Sequence, residues 1–283
     1  MNKLQYTFKT DTLFKMLFVK HEDLLKKLVA ALLGISVESI QQFVIQNPDI
    51  SPENLEDKFC RLDINMTVNN QLVDLEIQIC NEGDYPERVM YYWAREFSSA
   101  LPAGKGYSVL PRTIIISIID FNLFGCAEYN SFFQPLEVTR HTLLSDKMGF
   151  HFFELKKLPS DITENDPMLL WLSLFKAETE EELDKIRKLE VPEMEQAINA
   201  YYTITASPEF REKERLREKA RHDEAQALYH AEQMGIQKGI RQGATERNIE
   251  IARNLLKINL PLEQISKATG LTIAEIERLR IET

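Results

Sequence analysis

Two alternating runs joined by an Asn-Asn pair constrain the fold of this chain more than any other feature. The runs are KFCRLDINMTV, residues 58–68, and QLVDLEIQI, residues 71–79. Alternation of polar and apolar residues is typical of a β-strand with one buried face. Asparagine tolerates the positive φ angles of a two-residue hairpin turn. The sequence therefore predicts a β-hairpin in which Val68 lies opposite Gln71.

The register of this hairpin places the carboxylate of Asp63 directly opposite that of Glu76. Two more polar pairs share this face of the hairpin: Arg61 with Gln78, and Asn65 with Asp74. Apolar pairs share the other face: Leu62 with Ile77, Ile64 with Leu75, and Met66 with Val73. A slip of one strand by one residue would set apolar side chains against the polar row, so this division supports the register.

The opposed carboxylates indicate a metal site. Opposed Cβ atoms are roughly 5 Å apart, so Asp63 and Glu76 repel each other unless a proton or a cation lies between them. Mg²⁺ binds carboxylate oxygens and keeps several water molecules, which suits hydrolysis of a phosphodiester. Gln78, two residues further on the same face, can orient a water molecule or a phosphate oxygen. The alternative is a polar row that merely faces solvent, and the residues alone support both readings about equally.

Helices and further strands surround the hairpin. A first amphipathic helix is predicted from residue 11 to a stop at Gly34, and a second over residues 86–101. The segment RTIIISIID, residues 112–120, is typical of a strand buried on both faces. Two more strands are predicted, within residues 128–140 and 149–158. The order helix, hairpin, helix, strand predicts an α/β core.

The chain becomes helical after about residue 166 and strongly charged after Pro208. A single helix of that length exceeds what a compact domain needs and suggests an arm or a coiled contact. We divide the chain into four parts: a core over 1–165, a helical elaboration over 166–206, a long charged helix or arm over 207–258, and a short helix-turn-helix-like tail over 259–283.

Two features of the C-terminal part bear on its role. Gly235, Gly239 and Gly243 recur every four residues, which favours either self-association through the C-terminal helices or flexible breaks in the long helix. Thr272 and Glu275 match a capping box at the start of the last helix. A helix that reads DNA bases would carry Arg, Asn or Gln near this end. Because glutamates occupy it, we favour packing or assembly over base readout.

Composition and charge exclude several classes of protein. The net charge is −10, and the excess of acidic residues lies before residue 207, which argues against nonspecific coating of DNA. Three scattered cysteines indicate neither a disulfide framework nor a zinc site. The sequence has no apolar run of about 18 residues, no secretory signal and no glycine-rich phosphate loop. We therefore expect a cytoplasmic protein with no membrane partner and no nucleotide cofactor.

The hairpin motif, an Asp followed by an apolar strand and Glu-x-Gln, resembles the PD-(D/E)XK nuclease signature in the variant where Gln replaces Lys. Two further segments are DTLFKMLF at residues 11–18 and YPERVMYYWAREF at 85–97. With them, the chain resembles the Rpn family of recombination-promoting nucleases, also described as transposases of the PD-(D/E)XK type. The resemblance covers roughly residues 8–280.

This resemblance implies a restriction-endonuclease-like α/β core with a helical C-terminal extension. It implies a DNA endonuclease that uses Mg²⁺, with Mn²⁺ as a possible substitute, and that promotes recombination or acts with mobile elements. Asp63, Glu76 and Gln78 take the catalytic positions, with Asp63 and Glu76 as metal ligands. Neutral Gln78 donates a hydrogen bond but lacks the positive charge of Lys, so slower catalysis is expected. The alternative is an inactive nuclease-fold protein that serves as a DNA-binding or assembly module.

Three other residues are candidates for the site. Asp11 could reach the metal and Lys15 a DNA phosphate, although an ordinary ion pair one turn apart in a helix explains both equally simply. Arg88, on the helix after the hairpin, could bind a DNA phosphate. Helical spacing assigns the neighbouring aromatic residues to the core: Tyr91, Tyr92 and Trp93.

Overall fold

The computed structural model of this chain describes residues 2–46 and 64–281. It divides into two compact units, Met1–Glu214 and Arg215–Thr283. Within the described residues, the larger unit holds a mixed six-stranded sheet with helices on both faces, and the smaller unit is helical. This architecture confirms the predicted α/β core with a helical C-terminal extension.

The sheet combines antiparallel and parallel pairs. Its strands are β1 Phe43–Ile45, β2 Ile64–Val68, β3 Gln71–Gln78, β4 Thr113–Ile119, β5 Asn130–Phe133 and β6 Met148–Glu154. They lie in the order β1-β2-β3-β4-β6-β5. The pairs β1–β2, β2–β3 and β5–β6 are antiparallel, whereas β3–β4 and β4–β6 are parallel. All seven residues of β4 are buried, as predicted for a strand covered on both faces.

Helices account for most of the remaining described chain. They are α1 Asp11–Lys20, α2 Glu22–Leu33, α3 Tyr85–Ser99, α4 Pro167–Lys176, α5 Glu180–Arg187, α6 Pro192–Ala206, α7 Pro208–Lys257, α8 Leu262–Thr269 and α9 Ile273–Ile281. None of these helices is both long and apolar enough to cross a membrane. Gly34 ends α2 in the left-handed conformation, with φ of 66°, where the sequence predicts a stop.

The first predicted helix is interrupted at His21. The backbone of His21 has φ of −124° and ψ of 71°, which is outside the helical region. Its carbonyl oxygen accepts hydrogen bonds from the N–H groups of Leu24 and Leu25, which begins a new helix. Both α1 and α2 bury most of their apolar side chains in the core. The prediction of a single helix from residue 11 to Gly34 was therefore wrong, because the non-helical backbone of His21 separates two helices that both pack in the core.

The two faces of the sheet carry different cores. The larger core packs α1, α2, α4 and α6 against one face and includes Ile114, Ile116 and Ile118 of β4. A smaller cluster lies between α3 and the other face: Tyr85, Val89, Ile115, Ile119, Phe121, Phe150 and Phe152. Alternate residues of β4 thus serve opposite cores, as the period of a β-strand requires.

The aromatic residues of α3 divide between core and surface. Trp93 packs against the smaller cluster, and its Nε1 donates to the carbonyl of Thr113 at 3.1 Å. Tyr92 is half-buried. Tyr91 is 54% exposed, so its assignment to the core was wrong. Tyr91 lies six residues after the buried Tyr85, and the helical repeat of 3.6 residues places it on the outer side of α3.

The predicted hairpin register is confirmed along the described part of β2. Ile64 pairs with Leu75, Asn65 with Asp74, Met66 with Val73 and Val68 with Gln71. Asn69 and Asn70 adopt positive φ angles of 49° and 62°. The Asn69 side chain also accepts hydrogen bonds from the N–H groups of Gln41 and Gln42, which connects the turn to the chain before β1.

The smaller unit is organised around a short helical cluster. The C-terminal part of α7 packs with α8 and α9 around Ala252, Ile265, Ile276 and Leu279. Thr272 Oγ1 accepts from the N–H of Glu275, and Glu275 Oε2 accepts from the N–H of Thr272 at 2.8 Å. These reciprocal bonds confirm the predicted capping box.

His151 gives the larger unit an expected sensitivity to acid. It lies on β6, stacked on Phe132 of β5 with ring centroids 4.2 Å apart. Burial, together with the positive charge of Arg112, lowers the pKa of His151 from 6.5 to about 4. Between these values only the unfolded state binds the proton. The contribution of the neutral His151 side chain to the free energy of unfolding is therefore complete above pH 6.5 and is lost as the pH falls toward 4.

Between pH 7 and pH 5 the free energy of unfolding of the wild type should fall by about 2 kcal/mol through His151. We expect His151→Phe to lack this part of the decrease. Urea unfolding followed by tryptophan fluorescence measures this, because both tryptophans, Trp93 and Trp171, lie in the larger unit. The quantity to compare is the change in the free energy of unfolding between pH 7 and pH 5, in the wild type and in the variant. An equal difference in wild type and variant would contradict the assignment.

Candidate functional site

Three polar residues of β3 share one face of the sheet: Asp74, Glu76 and Gln78. Asp74 is 2% and Glu76 is 6% exposed, and the same face carries the cluster beneath α3. Burial of a carboxylate is costly unless other groups compensate its charge. Their burial disagrees with a polar row that merely faces solvent. The hairpin therefore brings carboxylates into a protected place under a helix.

Tyr85 covers Glu76. It is the first residue of α3 and is fully buried, and its hydroxyl donates a long hydrogen bond of 3.4 Å to Glu76 Oε2. The Tyr85 ring makes edge-to-face contacts with Phe121 and with Phe152 of β6. The start of α3 is thus held against β3 at Glu76.

Arg88 lies one helical turn further along α3. Its guanidinium carbon is 5.1 Å from the centre of the Tyr85 ring, and its Nη1 is 2.9 Å from Glu82 Oε2. The side chain is 24% exposed, so it reaches solvent. The structure therefore brings two predicted site residues, Arg88 and Glu76, into contact with opposite parts of Tyr85.

Gln78 ends β3 and is bound locally. Its side-chain Nε2 donates to the backbone carbonyl of Cys80 at 2.9 Å. The backbone carbonyl of Gln78 accepts from the N–H of Asp120 at 2.9 Å. The carboxamide still carries an oxygen and a second N–H. Gln78 is half-buried, which gives this end of the strand access to solvent.

Asp63 and Arg61 lie outside the described residues. The hairpin ladder is described up to the pair of Ile64 with Leu75, one position before the predicted pair of Asp63 with Glu76. That pair therefore stays a prediction, supported by a register that holds at each described position.

Asp11 and Lys15 form an ion pair. Lys15 Nζ is 2.9 Å from Asp11 Oδ1, one turn apart in α1. This is the contact that the simpler explanation requires. Their proposed contacts with a metal ion and with a DNA phosphate stay predictions.

Sequence reasoning missed a buried ion pair at the same end of the sheet. Lys9 Nζ lies 2.7 Å from Asp120 Oδ2 and 2.9 Å from Glu178 Oε1. Burial by itself lowers the pKa of Lys9, but hydrogen bonds to the two carboxylates outweigh it and raise the pKa. Asp120 is the last residue of the segment RTIIISIID, so its position at the end of a buried strand could be predicted from the sequence. Lys9 has no such signal, because its partners are distant in the chain.

The donor set fits a hard divalent cation in chemical type. Glu76 supplies a carboxylate and Gln78 a carboxamide oxygen, and such cations prefer oxygen ligands. Within residues 2–46 and 64–281, no group of three or more His, Cys, Asp or Glu side chains is placed to hold a metal ion. On the neighbouring strand, the buried hydroxyl of Ser117 has no hydrogen-bond partner among the described residues. The described residues thus supply part of a donor set, and Asp63 is the predicted addition.

Comparison with known proteins identifies one relationship. The model of a family described as PD-(D/E)XK nuclease family transposase matches residues 8–231, which is more than half of the chain. No curated protein and no solved structure matches the chain significantly. The matched range contains β3, α3 and the candidate site residues Asp11, Lys15, Asp63, Glu76, Gln78 and Arg88.

Proposed function

This chain belongs to the PD-(D/E)XK nuclease family transposases, and we propose that it is a metal-dependent DNA endonuclease that hydrolyses phosphodiester bonds. It is a nuclease-fold protein, and nucleases of this family generally use divalent metal ions. The observation that carries the proposal is the buried Glu76 on the second strand of the hairpin, held beneath Tyr85. An acidic side chain at this position is the one the PD-(D/E)XK motif requires.

Asp63 and Glu76 would hold the ion, with Asp11 as a third ligand. Mg²⁺ suits these carboxylates, and Mn²⁺ is an alternative with similar oxygen ligands. When bound, the ion supplies Lewis-acid activation of water and stabilises charge on the phosphate. The chain's own contribution is to fix Glu76, which Tyr85 does from above through its hydroxyl.

Binding of DNA is assigned to Lys15 and Arg88. Arg88 is held in place by Glu82 and by the Tyr85 ring, and its partly exposed guanidinium can donate to phosphate oxygens. Gln78 can donate one N–H to a phosphate oxygen or to a water molecule. Because Gln78 is neutral, it stabilises less negative charge than a lysine would.

One observation favours a second candidate function. Gln78 is neutral, so the position of the usual lysine supplies no positive charge, and one of its N–H groups already donates to the carbonyl of Cys80. A nuclease fold without turnover, which binds DNA or serves in assembly, accounts for this. The family description, which names transposases, motivates a role in recombination or with mobile elements for either candidate.

Plasmid cleavage tests the proposed function. The full chain is incubated with supercoiled DNA and Mg²⁺, Mn²⁺ or a chelator, beside the variant Asp63→Ala. We expect nicking or linearisation by the wild type with either metal, none with the chelator, and at least about 100-fold less with the variant. Equal cleavage by wild type and variant would contradict the proposal. The absence of cleavage with both metals would favour the second candidate.

We further propose that the protein self-associates through α7. The helix runs without a break through Gly235, Gly239 and Gly243, so these glycines do not interrupt it. Each helical glycine costs about 1 kcal/mol relative to alanine, and close approach of a second helix would offset this. Beside them α7 exposes apolar side chains: Leu228, Tyr229, Ile236 and Ile240.

Light scattering of the full chain measures its mass in solution. We expect a dimer for the wild type and a monomer for Gly239→Leu, because the larger side chain keeps the helices apart. Gly104→Leu, in a loop of the larger unit, would be a poor control because φ there is positive. Gly125→Leu is the better control, since a Cβ atom added at Gly125 has no atom of a non-neighbouring described residue within 4 Å, and φ there is not positive. A monomeric wild type would contradict the proposal.

A further inference from the structure

Ser117 is an unusual residue for the place it occupies. It lies in the middle of β4, between isoleucines, and is fully buried. Its hydroxyl has no hydrogen-bond partner among the residues that the structure describes. A buried hydroxyl without a partner destabilises a protein, whereas an alanine of nearly the same size would not. Ser117 therefore calls for a polar group that the described chain does not supply.

The strand register locates Ser117 beside the candidate site. Ser117 pairs with Glu76 of β3 on one side and with Phe152 of β6 on the other. Tyr85 spans the same three strands, because its hydroxyl reaches Glu76 and its ring contacts Phe152, with ring centroids 6.3 Å apart. Ser117 thus lies beneath Tyr85, next to Glu76 and on the same face.

Packing alone does not explain the serine. If a small side chain were all that this position required, alanine, which is nearly the same size as serine, would meet the requirement equally well. The neighbouring carboxylate favours serine over alanine. If Glu76 binds a hydrated cation, a hydroxyl beside it can hydrogen-bond to the water of that cation, and a methyl group cannot. Groups that orient a metal ligand commonly contribute 10-fold to 100-fold to metal affinity.

We propose that Ser117 is a positioning residue of the metal site, where its hydroxyl bonds to the hydration shell of the divalent ion beside Glu76. This inference rests on the proposed function, because it requires that Glu76 binds a metal ion. Ser117 does not contact DNA or the ion directly. It acts with Tyr85, so that hydroxyl groups lie both above and beside the Glu76 carboxylate.

Thr113 provides a matched control on the same strand. It lies four residues before Ser117 on the same face and is 1% exposed. Its Oγ1 likewise has no hydrogen-bond partner within the described part of the chain. Its register partner on β3 is Leu72 rather than Glu76. Thr113→Val therefore removes a comparable buried hydroxyl at a distance from the carboxylate.

Isothermal titration of Mn²⁺ into the full chain tests the inference. We expect Ser117→Ala to raise the dissociation constant at least 10-fold, and Thr113→Val to leave it within about twofold. Thermal unfolding without metal is the second measurement. Ser117→Ala should melt at the same or a higher temperature than the wild type, because the unsatisfied hydroxyl is gone. A purely structural role would instead lower stability and leave the dissociation constant unchanged.

The outcomes separate this inference from the function on which it rests. Mn²⁺ binding by the wild type that is unchanged in Ser117→Ala would overturn the role of Ser117 and leave the proposed function standing. No binding by the wild type would overturn the proposed metal site, and the role of Ser117 with it. Equal weakening in Ser117→Ala and Thr113→Val would also overturn the inference, because the effect would not depend on Glu76.

Discussion

Replacing Glu76 with glutamine is expected to lower the rate of DNA cleavage by at least about 100-fold. The change removes one negative charge from the proposed metal site while the side chain keeps its shape. A metal ligand of this kind contributes several kcal/mol to the reaction, and each 1.36 kcal/mol is about tenfold in rate. Because Glu76 is buried beneath Tyr85, solvent cannot readily provide a substitute. Initial rates of plasmid nicking at saturating Mg²⁺ measure the effect.

Glu214→Gln is the matched control for this variant. Glu214 is as buried as Glu76, at 5% against 6% exposure, but it lies on α7 rather than on the sheet. The same chemical change there should alter cleavage less than twofold. A drop of similar size in both variants would show that loss of any buried carboxylate disturbs the fold. Full activity in Glu76→Gln would remove Glu76 from the catalytic machinery.

Replacing Glu154 with alanine is expected to lower the free energy of unfolding of the larger unit by about 3 kcal/mol. Glu154 ends β6 and is fully buried. Its Oε1 accepts from the N–H of Leu123 at 2.6 Å and of Phe124 at 3.3 Å, and its Oε2 lies 2.6 Å from Lys157 Nζ. Alanine leaves two backbone donors without their acceptor, at about 1–3 kcal/mol each.

Glu154→Gln separates hydrogen bonding from charge. The glutamine oxygen can still accept from the loop after β4, so we expect a smaller loss than with alanine. Lys157 also donates to the carbonyl of Phe124 at 2.8 Å, which keeps it anchored in both variants. Urea unfolding at pH 7 followed by tryptophan fluorescence provides the comparison. An alanine variant as stable as the wild type would show that water replaces the carboxylate at no cost.

Local patterns in the sequence determined the parts of this fold that depend on neighbouring residues. Alternation in the two strands and the Asn69-Asn70 turn specified the hairpin register, because every side chain changes face with a one-residue slip. The apolar run after Arg112 specified a strand covered on both faces. The capping box at Thr272 and the stop at Gly34 depend on four or five consecutive residues, so they too were predictable.

Contacts between distant segments decided the rest. Helical periodicity predicted one helix through His21, but the packing of α1 and α2 in the core divides it. Lys9 pairs with Asp120, more than a hundred residues away in the chain. No local signal marks such a pair, since Lys9 lies before α1 and Asp120 after β4, and only the fold brings the two together.

The carboxylates of the hairpin show the same division within the candidate site. The sequence by itself determined that Glu76 and Gln78 share a face of β3, and it left open whether that face is buried or solvated. Only the tertiary structure decided this, by laying α3 across the sheet so that Tyr85 covers Glu76 and Ser117 lies beside it. Strand periodicity is a property of the chain, whereas burial depends on which element packs against the strand.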